Sequence, residues 1–261
     1  MPELLSKLLV GAAVVSMACL PAIANDRLVR IATGELPPYA TAAQPDGGMA
    51  LSIVRSAFEA AGYTVEFTFL PWSRALAETR LGKWDGTAYW GHKPEYDGQF
   101  FLSDNVVTEQ WVMVHRKSIS LKWSTLDDLR PYRMATVPDY TYTPELRAMF
   151  KAGHIQTESA PSDIAVLKLL TLGRADVAPI ELSVACELLK THFTEADMEK
   201  LAAHPKLMTE QFTTHLLMTR TQPGNVKKVA DFNAGLRKLR ENGEYARLLA
   251  ETPCPVSWRR R

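Results

Sequence analysis

The sequence has no excess of one charge, few cysteines and no long apolar run beyond its N-terminal region. Its 261 residues contain 30 Lys and Arg against 29 Asp and Glu. No overall field therefore attracts nucleic acid, and only Arg259, Arg260 and Arg261 form a local basic stretch. After the N-terminal region, no segment approaches the ~20 apolar residues that cross a bilayer. We expect neither nucleic-acid binding nor a membrane-spanning segment in the body of the chain.

The one long apolar run lies at the N-terminus and predicts export. Lys7 gives a basic start, residues 8–20 are almost wholly apolar, and Ala22-Ile23-Ala24 matches the small-x-small cleavage pattern. We expect residues 1–24 to be a signal peptide and the protein to be periplasmic. A membrane anchor is the alternative, but the run is shorter than a bilayer span. A lipoprotein attached through Cys19 is a further alternative.

Removal of 24 residues from 261 leaves 237, enough for one large domain or for two domains with separate cores. Only Cys186 and Cys254 then remain of the three cysteines. An even number of cysteines in an oxidising compartment is compatible with a disulfide, but also with two separate buried thiols.

Strand and helix patterns alternate along the chain. Residues 28–32, 65–69 and 86–90 read as strands, and the residues between them have apolar side chains at helical spacing. The same alternation returns after residue 111, where Thr143 and Ser162 are suited to cap two helices. This order predicts α/β architecture with largely parallel sheets. Because the alternation of strands and helices occurs twice along the chain, two lobes fit better than one sheet.

Several short segments resemble, in order, those of one protein family. In chain order they are TGELPPY at 33–39, PWSRAL at 71–76, GKWDG at 82–86, KPEY at 93–96, FLSD at 101–104, LDDL at 126–129, GRAD at 173–176 and FNAGL at 232–236. Together they resemble family 3 of the bacterial extracellular solute-binding proteins. That family includes polar amino-acid-binding proteins and is related to the ligand cores of ionotropic glutamate receptors.

The resemblance implies a two-lobed periplasmic binding protein of type II. Each lobe is then a mainly parallel sheet flanked by helices, and two strands form the hinge between the lobes. We expect lobe one at residues 25–114 and 218–261, and lobe two at residues 115–217. A solute would lie in the cleft between the lobes.

The resemblance also implies which residues border the cleft. Tyr39, Trp72, Tyr89 and Trp90 would come from lobe one and could surround an aromatic ring or an amine by stacking and cation–π attraction. A role in the core is the alternative for the two tryptophans. From lobe two, Tyr140 and Thr141 precede a helix N-terminus, the place where family members bind a ligand anion.

At two positions near the ligand site, this sequence differs from the residues that family members usually carry. Tyr96 stands where amino-acid-binding members carry an Arg that grips the α-carboxylate, so the usual carboxylate anchor is missing. Arg74, His92 or Lys93 could replace that Arg, although surface positions are expected for them. Asp139 replaces a usual Gly beside the anion site and would disfavour an anion, or would simply begin a turn.

Glu181 occupies the family's position for an acidic residue that meets the ligand amine. The alternative is a carboxylate that only stabilises a helix N-terminus. An acid retained without its Arg partner points to a cationic or amine-bearing solute. The resemblance further implies a disulfide between Cys186 and Cys254, because glutamate receptor relatives have a comparable bridge.

Two classes of function remain. The first is a monomeric binding protein that serves an ABC importer permease or a sensor protein. The second is an enzyme on the same fold, a periplasmic cyclohexadienyl dehydratase in which Glu181 is the candidate general acid. We find no Ser-His-Asp order with a nucleophile elbow, no Cys–His pair with supporting spacing and no metal-ligand cluster among the histidines, and we expect no cofactor. A one-chain receptor would need a transmembrane helix after the domain.

Overall fold

The computed structural model describes residues 27–138 and 140–249, Cys254 and Trp258, apart from the side chain of Glu210. The predicted signal peptide, Cys19 and Asp139 lie outside the described residues. No helix in the described part of the chain is long and apolar enough to cross a membrane.

Nine strands and eight α-helices make up the described ranges. The strands are β1 (Leu28–Thr33), β2 (Thr64–Phe69), β3 (Gly86–Gly91), β4 (Phe100–Leu102), β5 (Val107–Arg116), β6 (Met134–Thr136), β7 (Thr157–Ser159), β8 (Val177–Glu181) and β9 (Leu201–Thr219). The helices are α1 (Met49–Glu59), α2 (Trp72–Arg80), α3 (Pro144–Lys151), α4 (Asp163–Thr171), α5 (Leu182–His192), α6 (Glu195–Glu199), α7 (Asn225–Glu241) and α8 (Glu244–Leu248). Short 3₁₀ turns cover Pro94–Tyr96 and Leu126–Leu129.

The strands form one continuous, curled sheet in the order β2-β1-β3-β9-β5-β8-β6-β7, and β4 also pairs with β9. At one end, β1, β2 and β3 are parallel, and at the other end β6, β7 and β8 are parallel. The two parallel groups belong to the two lobes. Between them, β5 and β9 run antiparallel to each other and to their outer neighbours. The predicted fold class is confirmed.

The long strand β9 links the two halves of the sheet. Its first part pairs with β5, and its last residues pair with β3 and β4. The β5–β9 pairing shifts register between Glu109 and Trp111 and again between Val112 and Val114. Such irregularities bend and twist a strand pair, so the crossing strands are curved where the two lobes meet.

Helices cover the sheet according to their apolar faces. In α1, every third or fourth residue, including Leu51, Val54 and Phe58, is buried. Helix α7 packs on α1 so closely that a methyl at Gly235 would overlap the carbonyl oxygen of Ala57. The predicted caps are present: Thr143 accepts a hydrogen bond from the Leu146 N–H, and Ser162 accepts one from the Ala165 N–H.

Cys186 in α5 and Cys254 form a disulfide, with an S–S distance of 1.98 Å. The bridge joins the helix that follows β8 to the segment that follows α8, 68 residues further along the chain. The predicted pairing of these two cysteines is therefore present.

Candidate functional site

A small cavity of about 50 Å³, partly open to solvent, lies where β3, the two crossing strands and the segment after β6 converge. Its described lining consists mainly of aromatic side chains. The lining residues are Leu36, Trp72, Tyr89, Trp90, Gly91, Glu109, Trp111, Tyr140, Thr141, Phe212 and Thr214. Glu109 is the one acidic residue in this lining, and the lining contains no Lys, Arg or His.

The aromatic rings of the cavity pack against one another, edge to face in one pair and tilted in another. Trp72 and Trp90 meet with ring centroids 5.2 Å apart and perpendicular planes, and Trp111 lies 5.4 Å from Phe212. The Trp90 indole N–H donates to the Thr87 hydroxyl at 2.8 Å, which fixes the ring. Such rings can hold a flat apolar group by stacking or a cation over their negative faces.

Glu109 is an acidic side chain on the buried face of β5. It is 2 % exposed, and its carboxylate accepts a 2.5 Å hydrogen bond from the Trp111 indole N–H. Burial raises the pKa of Glu109 to about 8, and the negative charge of Glu181 adds to the rise. No described Lys or Arg forms an ion pair with it, so an added cation would find this carboxyl without a counter-charge.

Glu181 ends β8 and caps α5. Its carboxylate accepts a hydrogen bond from the Val184 N–H at 2.9 Å and a longer one from the Gln110 N–H at 3.4 Å. Burial raises the pKa of Glu181 to about 7, although these N–H donors favour the ionised form. The repulsion between the two carboxylates raises the pKa of Glu109. The helix-capping geometry considered for Glu181 is present, in a buried acidic pair.

Two tyrosines accompany the acidic pair. The rings of Tyr39 and Tyr89 stack at 5.1 Å, and burial raises the pKa of both hydroxyls well above the usual range. The Tyr89 hydroxyl lies beside the Glu109 carboxyl and lowers its pKa. This hydroxyl nevertheless makes no hydrogen bond of normal geometry to any described residue.

Tyr89 also has an unusual backbone. Its φ is 70°, the only positive φ of a non-glycine residue in the described ranges. The β3–β9 register shifts between Thr87 and Trp90, so the bulge and the left-handed residue together turn the Tyr89 side chain out of strand alternation. Strain of this kind is concentrated at binding and catalytic sites.

A third buried carboxyl stands close to the cavity. Asp163, 5 % exposed at the start of α4, accepts a 2.7 Å hydrogen bond from the hydroxyl of Tyr140, which lines the cavity. Burial raises the pKa of Asp163 to about 6. Its charge reaches Glu109 and raises the pKa of that group further.

Five of the eight residues predicted from the sequence line this cavity. They are Trp72, Tyr89, Trp90, Tyr140 and Thr141. Tyr39 and Glu181 line an adjoining hollow together with Ser183. Tyr96 lies behind the wall, where its ring packs against Trp90 at 6.3 Å and its hydroxyl lies near Thr141.

The suggested substitutes for the missing Arg have other neighbours. Arg74 pairs with Glu78 at 2.8 Å, and His92 pairs with Asp97 at 2.8 Å, both on the surface. Lys93 lies over the ring of Tyr96. None of the three is part of the described cavity lining.

The sequence interpretation missed Glu109, Trp111 and Phe212, which come from the crossing strands. A signal for Glu109 was present in the alternation of β5. Val107, Glu109 and Trp111 share the buried face, whereas Thr108 and Gln110 are exposed. An acidic residue in phase with apolar residues of a strand is a candidate for a buried functional carboxyl.

The described residues contain no group of three or more His, Cys, Asp or Glu side chains arranged to hold a metal ion.

A curled α/β sheet in two halves, joined by two crossing strands beside a lined cavity, defines a two-lobed binding protein. The sequence family described as bacterial extracellular solute-binding proteins, family 3, matches residues 29–251. The chain belongs to this family. A search of curated proteins gave no match.

Solved structures share the fold at low sequence identity. An amino acid ABC transporter substrate-binding protein from Streptococcus pneumoniae, bound to L-arginine, has a TM-score of 0.70 and 17 % identity over 88 % of this chain and 96 % of its own. A histidine kinase sensor domain similar to periplasmic binding proteins has a TM-score of 0.69 and 22 % identity over 85 % and 95 %. An ancestral amino acid-binding protein, a precursor of cyclohexadienyl dehydratase, has a TM-score of 0.66 and 17 % identity over 85 % and 93 %.

Proposed function

We propose that this chain captures a small cationic or amine-bearing solute in the cleft between its lobes. The observation that carries the proposal is the charge of the site. Glu109, Glu181 and Asp163 are buried close together, and the described cavity lining offers aromatic faces but no basic side chain. A solute that loses its water in such a cleft needs a positive charge to offset the carboxylates.

The proposed binding residues are those predicted from the sequence, extended by the crossing strands. Tyr39 and Glu181 contribute to the acidic end, and Trp72, Tyr89, Trp90, Tyr140 and Thr141 form the walls. Tyr96 supports Trp90 from behind and takes no carboxylate-binding role. The predicted set is Tyr39, Trp72, Tyr89, Trp90, Tyr96, Tyr140, Thr141 and Glu181.

We propose lobe one at residues 25–114 and 218–261 and lobe two at residues 115–217, hinged at the crossing strands. The chain would act as a periplasmic monomer after cleavage behind Ala24. The captured solute would be passed to an ABC importer permease or reported to a sensor protein. A substrate-binding protein of an amino acid transporter and a kinase sensor domain share this fold, which is compatible with either role.

A screen by thermal shift tests the proposal. Primary amines, polyamines, quaternary amines, amino acids and aromatic acids are compared at equal concentration with purified mature protein. At about 100 times Kd, binding adds about 2.7 kcal/mol to the free energy of unfolding, which is readily seen as a shift of Tm. We expect cationic solutes to give the largest shifts. Stabilisation by anions alone, or by no solute, would exclude the proposal.

A dehydratase is the second candidate, because two buried carboxyls with raised pKa values could hold a proton near neutral pH and donate it to a leaving hydroxyl. The cleft nevertheless lacks a basic partner for a dicarboxylate substrate within its described lining. Incubation with prephenate and arogenate distinguishes the two functions. Formation of aromatic product, abolished in Glu181→Gln, would establish the enzyme.

A further inference from the structure

We propose that Glu109 is the specificity-determining carboxylate of the cleft, and that it binds the ammonium head of an amine that carries an apolar or aromatic body and no carboxylate. This inference rests on the proposed function and names its class of solute.

Glu109 is the more available of the two buried carboxyls. Both oxygens of Glu181 already accept backbone N–H groups, from Gln110 and Val184, because the residue caps α5. Glu109 accepts one side-chain hydrogen bond, from Trp111, and lines the aromatic cavity directly. Glu109 therefore has more free acceptor capacity toward a solute than Glu181 has.

The Tyr89 hydroxyl beside Glu109 favours a head group that carries N–H donors. Tyr89 is 6 % exposed, lines the same cavity and has a buried hydroxyl without a hydrogen-bond partner in the described part of the chain. A buried polar group of this kind needs a partner. An ammonium group with N–H donors can satisfy both the Tyr89 hydroxyl and the Glu109 carboxylate. A quaternary ammonium has no N–H and would leave the hydroxyl unpaired.

The remaining walls of the cavity favour a solute with an apolar or aromatic body. Beyond Glu109, the described lining is formed by the rings of Trp72, Trp111 and Phe212 and their neighbours, with no basic side chain. A carboxylate placed there would be repelled by Glu109 and would lack a cation. An aromatic or alkyl body would instead replace water against the rings.

Four probes that share one skeleton test the proposal by titration calorimetry at pH 7.5. They are 2-phenylethylammonium, its neutral analogue 2-phenylethanol, its N,N,N-trimethyl analogue and L-phenylalanine. We expect 2-phenylethylammonium to bind tightest, at least ~100-fold better than the alcohol, which cannot form an ion pair with the Glu109 carboxylate. The trimethyl compound should be weaker because it has no N–H, and L-phenylalanine weaker because it adds a carboxylate.

Four variants identify the carboxyl that binds the ammonium group. Glu109→Gln keeps the shape and the acceptor for Trp111 but removes the charge, and it should lose at least ~100-fold in affinity for 2-phenylethylammonium. Glu181→Gln should lose less. Glu145→Gln, an exposed residue on α3, should change nothing. Glu109→Asp, which keeps the charge, shows whether loss of binding reflects charge or misfolding, and circular dichroism checks each fold.

A pH profile gives a readout that a merely structural role would not affect. The groups that face Glu109 are Glu181, Tyr39, Tyr89 and, through Tyr140, Asp163. Because Glu109 must lose its proton to pair with an ammonium group, affinity in the wild type should rise from pH 6 to pH 8. This rise should be smaller in Glu109→Gln.

Two results would overturn the inference. One is a Glu109→Gln protein that binds the amine within ~3-fold of the wild type, in which case the proposed function stands and the assignment of Glu109 falls. The other is tighter binding of L-phenylalanine than of 2-phenylethylammonium, or binding of none of the four probes. The thermal-shift screen then decides separately whether any cationic solute is bound.

Discussion

Burial governs the chemistry of Glu109, because a carboxylate pays a large cost for leaving water and a second carboxylate stands nearby. The folded protein therefore holds a proton on Glu109 up to a higher pH than the unfolded chain does, where the ordinary pKa is 4.5. At pH values between these two pKa values, the folded state binds more protons than the unfolded chain does. The free energy of unfolding must therefore fall as pH rises. Glu181 acts in the same direction.

Replacement of Glu109 by Gln should therefore stabilise the solute-free protein at pH 8 and have little effect at pH 5. The expected gain in the free energy of unfolding at pH 8 is at least ~1.4 kcal/mol, the equivalent of one unit of pKa difference. Urea denaturation at both pH values measures it, with Glu145→Gln as control. Parallel pH profiles for Glu109→Gln and wild type would contradict the raised pKa.

At the residue scale, most of the aromatic residues that line the cavity could be predicted from the sequence, but its acidic residue Glu109 could not. Trp72 and Trp90 could be placed because they stand in short ordered motifs that resemble the family. Glu109 lies in a strand without such a motif. Its alternation with Val107 and Trp111 indicates the buried face of β5, but the bend that brings this face to the cavity comes from pairing with β9, which is distant in sequence.

Secondary structure could be predicted where a local sequence pattern determines it. The helical spacing of apolar residues predicted the buried face of α1, and Thr143 and Ser162 were predicted as helix caps. Strand β9 was not, since residues 201–219 contain Pro205 and many polar side chains and show little alternation. Its extended form is imposed by pairing with β3, β4 and β5, which are distant in sequence.

The contact between α1 and α7 should depend on Gly235. A methyl there meets the backbone of Ala57, which cannot turn away as a side chain could. Gly235→Ala should reduce the free energy of unfolding by about 1–3 kcal/mol or more, as overpacking of a tight core does. Gly98→Ala is the matched control, because a methyl there meets nothing within 4 Å. Equal urea midpoints for the two variants would refute the close contact.

The disulfide between Cys186 and Cys254 should contribute to stability by restricting the unfolded chain. The cysteines are 68 residues apart, for which the loop-entropy relation gives about 4 kcal/mol. The double variant Cys186→Ala, Cys254→Ala should therefore unfold at clearly lower urea concentration. Thiol counting on the denatured, unreduced wild type should find no reactive pair, and two reactive thiols would disprove the bridge.

At the scale of the whole molecule, the lobes meet through small contacts as well as through the aromatic cavity. Arg147 on α3 lies 4.0 Å from Glu95, and both side chains are partly exposed. An exposed ion pair of this kind contributes ~0–1 kcal/mol, so it cannot hold the cleft shut by itself. In the proposed function, the free energy of closure on a solute would come mainly from burial of aromatic surface and of the solute.

Gly91 gives a way to test closure without altering any binding side chain. It ends β3, and a methyl on it would lie 2.8 Å from the Thr141 methyl and 2.6 Å from the Phe212 ring. Its backbone is not in the left-handed region, so alanine should leave the lobes folded. We expect the added methyl of Gly91→Ala to keep the two lobes from closing fully. It should weaken binding of 2-phenylethylammonium at least ~10-fold, about 1.4 kcal/mol, with little change in the Tm of the solute-free protein.

Small-angle scattering should show that saturating solute contracts the wild type more than Gly91→Ala. The double variant Gly91→Ala, Thr141→Ser lacks the opposing Thr141 methyl and should recover part of the affinity. Gly98→Ala should behave as the wild type. If Gly91→Ala binds and contracts like the wild type, the lobes do not close at Gly91 and Thr141. If instead its Tm falls by many degrees without solute, the methyl disturbs the fold of one lobe and not the hinge motion.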